Sequence, residues 1–107
     1  MTARILVVDG QATNRITLKV RLTAACYQVT TAASAQQLMD ELARIRPNLI
    51  LLGGDLHDAG LVELCQTLAE GRDCAGIPIV MIADDDQRLA GLRAGAAAVL
   101  APGIDEQ

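Results

Sequence analysis

Four short runs of consecutive apolar residues frame this chain: "ILVV" ending at Val8, "LILL" ending at Leu52, "IPIVMI" ending at Ile82 and "AAVL" ending at Leu100. Runs too short for helices, bounded by Pro, Gly or Asp, read as strands buried on both faces, the habit of a parallel sheet. A more polar stretch at 27–32 alternates and suits an edge strand. Between the strands the apolar period lengthens to that of helices. The segment 12–25 carries two stripes, Leu18 with Leu22 and Ala25, and Ile16 with Val20. One stripe docks a helix on a sheet; the second needs a neighbouring helix or a partner molecule.

Ser34 and Gln37 form an S-x-x-Q capping box that starts a helix through Ile45, with Leu38, Leu42 and Ile45 inward and Pro47 barring continuation. A helix at 61–70 buries Leu61, Leu64, Cys65 and Leu68 and stops at Gly71. Asp84, Asp85 and Asp86 precede a last helix ending near Ala94, with Gly95 in the capping place; three acids at a helix start suit its positive end better than a metal site. Five strands alternating with four helices predict an α/β fold, a doubly wound five-stranded parallel sheet. No helix follows the last strand, which would leave one of its faces bare. Residues 1–107 are therefore expected to be one domain from a longer polypeptide.

At 107 residues the chain has one core, and with a single aromatic residue, Tyr27, that core must be aliphatic. A net charge of −4 without a basic run argues against nucleic acid as a partner. Three cysteines, Cys26, Cys65 and Cys74, have no CxxC spacing, so neither a disulfide framework nor a zinc site is indicated. Cys65 belongs to the core, and Cys74 is expected in an exposed loop. Neither a leader nor an apolar span long enough for a bilayer is present, and a reduced cytoplasmic location without membrane contact is expected.

The chemistry of an open α/β sheet sits at the carboxyl ends of its strands. The stretch "NLILLGGDLHDAG" puts Gly53 there, a residue with no side chain to offer. The segments "ARILVVDG", "RPNLILLGG", "IPIVMIA" and "LRAGAAAVLAPGID" resemble the receiver domains of bacterial response regulators, most closely the N-terminal receivers of PleD-type diguanylate cyclases. The resemblance implies a flavodoxin-like strand order 2-1-3-4-5. It also implies an acidic pair that binds Mg²⁺ after the first strand, a phosphoryl-accepting Asp after the third, a Thr or Ser after the fourth, and an aromatic and a Lys-Pro in or after the fifth. Those positions hold Asp9 and Gly10, Gly53, Ala83, Val99, and Pro102 followed by Gly103. Asp9 is the one group retained.

Phosphoryl transfer needs a nucleophilic carboxylate, a divalent ion and donors that hold the product. Asp9 by itself would hold Mg²⁺ weakly, so no cofactor is expected. The resemblance thus points to a pseudo-receiver: a non-phosphorylatable protein-interaction or dimerisation module, ahead of an output domain in two-component or cyclic-di-GMP signalling and not itself an enzyme. Two other readings stand beside it. Phosphorylation could have moved to Asp55 or Asp58, or the Gly53–Gly54 loop could admit a small ligand to the backbone. His57, the lone histidine, stands in the same loop. Restoring Gly53→Asp alone is expected to fail, and the combination with Gly10→Asp, Ala83→Thr and Pro102→Lys to do better.

Overall fold

The computed structural model describes residues 2–71, 74 and 76–102. Among them β1 (Arg4–Val8), α1 (Ala12–Ala24), β2 (Gln28–Ala32), α2 (Ala35–Arg44), β3 (Leu49–Leu52), α3 (Leu61–Glu70), β4 (Ile79–Ile82), α4 (Arg88–Arg93) and β5 (Ala98–Leu100) follow in order, a single 3₁₀ turn (Asp85–Gln87) leading into α4. All strands are parallel, in the order β2-β1-β3-β4-β5. Right-handed crossovers therefore place α1 on one face and α2, α3 and α4 on the other. The two faces are unequally covered. Val8, Leu52, Met81 and Val99 form one cross-strand row beneath α2, α3 and α4, and all are buried. On the α1 side Val7 is buried, while Leu51, Val80 and Ala98 in the same row are only half-buried. The segment expected to lead past Gly103, and Arg72, Asp73 and Ala75 of the loop before β4, lie outside the described residues.

Four details differ from the sequence expectations. Strand β4 begins at Ile79 because Ile77 and Pro78 belong to the preceding turn, where Ile77 N donates to Cys74 O at 3.0 Å. Cys74 is buried, not exposed: the turn tucks its side chain into the core beside Ile77. Ala25 is exposed and α1 buries no residue completely; Leu18 and Leu22 are half-buried against the sheet. The acids before α4 do not cap it with their side chains. Asp84 accepts from the Gln87 amide through its backbone oxygen, and Asp85 pairs with Arg88 at 3.3 Å.

Helix α2 carries the predicted cap in a modified form. Ser34 Oγ accepts from Gln37 N at 3.1 Å, and Gln37 Oε1 accepts from the Ala33 amide, one residue before the usual box position. The ends of α1 and α4 share one motif with different residues. At α4 the Ala96 amide reaches back to Gly91 O, with Gly95 at φ +113°. At α1 the Tyr27 amide reaches Leu22 O and the Cys26 amide reaches Thr23 O, with Cys26 at φ +74°. Both are Schellman closures, whose left-handed residue is normally glycine. Cys26 carries a Cβ into that conformation. Replacing it, Cys26→Gly, is expected to raise stability by about 1 kcal/mol, read as an upward shift of several degrees in the thermal midpoint.

Candidate functional site

The register of the sheet brings the predicted positions together. Val8 pairs with Leu52, so Asp9 and Gly53 emerge side by side, and Gly53 N donates to Val8 O at 2.7 Å. Ala83 follows β4, its amide on Leu100 O at 2.9 Å; Val99 lies within β5, and Pro102 comes just after it. A cleft of about 220 Å³ opens at this edge, lined among others by Asp9, Asn14, Gly54, Asp55, Asp84 and Pro102.

Asp9 is the buried group of the site, with 4 % of its surface exposed. Its Oδ1 accepts from the Gln11 amide at 2.8 Å and its Oδ2 from Asn14 Nδ2 at 3.4 Å, while Arg15 Nη1 donates to its backbone oxygen at 2.8 Å. Burial pushes the carboxyl above its ordinary value, and the charge of Asp55 adds to this. The Gln11 amide, Asn14 and Arg15 pull the other way. The carboxylate also leans onto Gly53. A Cβ built on Gly53 would fall well inside 3.0 Å of Asp9 Oδ2, closer than real Cβ atoms approach. The space in front of Gly53 is thus occupied by the side chain of residue 9. At Gly54 a Cβ would meet nothing within 4 Å.

At Gly10 the obstacle is backbone. A Cβ there would overlap the carbonyl oxygen of Asp55, and Gly10 N donates to Gly54 O at 3.0 Å. The loop after β3 is held in this place by further contacts. Asp55 adopts φ +63° and its Oδ2 accepts from Gln11 Nε2. Asp58 reaches across to α2, where its two oxygens accept from the Ala35 and Gln36 amides at 2.9 and 3.0 Å. These bonds hold the Asp58 carboxyl below its ordinary value, the Ala35 amide contributing most. With Ser34 on Gln37 N, and Leu38 N on Ser34 O, all four first-turn amides of α2 are satisfied. His57 stands exposed between the two acids.

Mg²⁺ demands near-octahedral oxygen ligation. Asp9 is committed to Gln11, Asn14 and the Gly53 face, residue 10 contributes no carboxylate, and Asp55 is bonded to Gln11. Among the described residues no three metal-ligating side chains are grouped. The donor set does not fit that ion. Val99, at the family's aromatic position, is pinned beneath α4: a Cβ at Gly91 would press on Met81 and come within 3.1 Å of Val99 Cγ2. Gln11, Asn14 and Arg15, and the capping role of Asp58, escaped the sequence reading. Asn14 and Arg15 could have been found as polar residues five and six positions after Asp9, in the first turn of α1. For Asp58, 23 residues from Ala35, no local signal exists.

The family model of the response regulator receiver domain matches residues 5–107. The chain is 35 % identical over 109 residues to the response regulator PleD of Caulobacter vibrioides, covering 99 % of this chain and 24 % of PleD. It is 33 % identical over 95 residues to the phosphate regulon transcriptional regulatory protein PhoB of Pseudomonas aeruginosa, covering 86 % of this chain and 42 % of PhoB. The chain therefore spans about a quarter to two-fifths of these relatives. Among solved structures, a CheY-like receiver domain protein from Methanospirillum hungatei superposes with a TM-score of 0.85 at 26 % identity, over 97 % of this chain and 84 % of the other. The chemotaxis response regulator CheY4 of Vibrio cholerae gives 0.87 at 20 % identity, over 97 % and 89 %. With its strand order, its site at the carboxyl edge and this match over nearly the whole length, the chain belongs to the response regulator receiver domain family.

Proposed function

We propose that this receiver domain signals without being phosphorylated, as a pseudo-receiver that works through protein contacts. One observation carries the reading: both places where the family keeps its phosphoryl chemistry are filled. The Asp9 carboxylate fills the space before Gly53, and the Asp55 carbonyl fills the space before Gly10. No carboxylate is left to be the nucleophile, and Mg²⁺ binding is weak or absent. Ala83 and Pro102 supply neither hydroxyl nor ammonium to hold a phosphoryl group, and Val99 under α4 has no ring to swing. The domain itself is not catalytic. An output domain in the same polypeptide, in the cyclic-di-GMP setting that similarity to PleD suggests, would receive the signal. The exposed Ile16 and Val20 are the contact residues for a protein partner or a second copy.

The displaced-carboxylate reading fares poorly at Asp58, whose oxygens are both engaged by α2, and at Asp55, which is tied to Gln11. Acetyl phosphate with Mg²⁺ is expected to add no phosphoryl mass to the protein in mass spectrometry. An adduct on Asp55 or Asp58 would sink the proposal.

The capping role of Asp58 gives a pH signature. Its folded-state pKa is depressed, so its stabilising contribution is complete above the ordinary value of 3.8 and is lost as pH falls through the folded value. Asp58→Asn should lower the thermal midpoint at about pH 6 and have a progressively smaller effect as pH falls below the ordinary carboxyl value, where the wild-type contribution is itself lost.

The site also corrects the expectation that adding Gly10→Asp helps to rebuild a receiver. Gly53→Asp meets the movable end of a side chain, whereas any residue at position 10 meets backbone. Gly10→Ala is expected to cost about 1–3 kcal/mol, while Gly54→Ala, with open space around it, stays near neutral. Denaturant titration of the two variants checks this. For Gly53→Asp, the new charge beside Asp9 raises the pKa of one of the pair. Calorimetry should show no tight Mg²⁺-dependent binding of beryllofluoride.

A further inference from the structure

Of the six large apolar side chains that stand exposed among the described residues, four lie on two helices: Ile16 (63 %) and Val20 (62 %) on α1, Leu89 (59 %) and Leu92 (43 %) on α4. Each pair is spaced three or four residues apart and so shares one helix face. The two faces differ in charge. In a chain of net charge −4, α1 holds Arg15, Lys19 and Arg21 and no acid, and exposed Lys19 sits beside Ile16 and Val20. The approach to α4 carries Asp84, Asp85 and Asp86, all exposed, with Asp85 and Asp86 one turn before Leu89. Arg88 on that helix is paired with Asp85, which leaves the acidic sign dominant at its start.

We propose that the outer face of α1 in one copy docks on α4 of a second copy, Ile16 and Val20 against Leu89 and Leu92, with Lys19 facing Asp85 and Asp86. This rests on the reading of the domain as a contact module and names its partner as the chain itself. Two α1 faces would bring like charges together, so a symmetric α1–α1 pairing is disfavoured. An antiparallel crossing of α1 on α4 puts the acids near Lys19 in the C-terminal half of α1, against the negative sign of that helix end, and leaves Arg93 at the positive α1 N-terminal end, a second mismatch. The apolar contact outweighs these mismatches only modestly, and two side chains from each helix bury far less than a standard interface. The association is therefore weak.

The sheet decides the form of the assembly. Helices α1 and α4 lie on opposite faces, so one copy cannot satisfy its own pair, and each docked copy still presents one unused face. A heterologous contact of this kind propagates head to tail instead of closing as a dimer.

Sedimentation equilibrium on the 107-residue chain tests it, using one variant with Ile16→Lys and Val20→Lys and another with Leu89→Ser and Leu92→Ser. All four positions are exposed, and circular dichroism checks that both variants fold. The wild type should pass beyond dimer mass as concentration rises, and should return towards monomer when salt is raised to about 1 M, where the Debye length falls to roughly 3 Å. Each variant alone should remain monomeric, and an equimolar mixture should form a heterodimer and go no further, because one intact face of each kind remains. A monomeric wild type at millimolar concentration overturns the proposal, as does dimerisation of the Leu89/Leu92 variant by itself, which would mean an α1–α1 contact. Neither outcome touches the phosphorylation reading, which acetyl phosphate tests separately.

Discussion

The close approach of the loop after β3 to Gly10 is the constraint on which the rest of the site depends. With no Cβ at residue 10, the Asp55 carbonyl can sit against the end of β1, and Gly10 N can donate to Gly54 O. That docking brings Asp55 within reach of Gln11 and Asp58 within reach of α2. The loop thereby joins the starts of two helices that lie on opposite faces of the sheet. On the proposed pseudo-receiver reading, the place where the family would seat its metal is a backbone packing contact, and its residues serve the fold.

Asp9 takes part in the same change. A buried carboxylate needs partners or it shifts towards its neutral form. Here it finds a backbone amide, an asparagine and the field of Arg15, and it rests in the volume that Gly53 leaves empty. The joint absence of acids at positions 10 and 53 is consistent in energetic terms, because a second carboxylate beside buried Asp9 would raise the cost of charge there without a counter-ion.

The fold was legible because four of the five strands are short apolar runs and three of the four helices have a punctuating residue: Ser34 and Gln37 at the start of α2, Gly71 after α3, Gly95 after α4. Where the structure departs from that reading, the cause is tertiary. Cys74 looked exposed because its loop is polar, yet the turn into Ile77 buries it. Cys26 occupies a glycine position that only the left-handed φ reveals. The losses at Gly53, Gly10, Ala83 and Pro102 could be located by resemblance to the family. What fills the vacated space could not, because it depends on contacts between residues more than forty positions apart, such as Gln11 with Asp55.

The contact at Gly10 also orders the steps by which this site could have changed. Once the loop backbone has settled against residue 10, the first acidic side chain to return there meets an atom that no rotamer change can move. A return at position 53 meets chiefly the carboxylate of Asp9, a side chain that can turn aside, with the Val8 carbonyl oxygen at 3.3 Å. On the proposed reading, an acid is therefore harder to place at position 10 than at position 53: the glycine admits a backbone packing that then leaves no room for any side chain there.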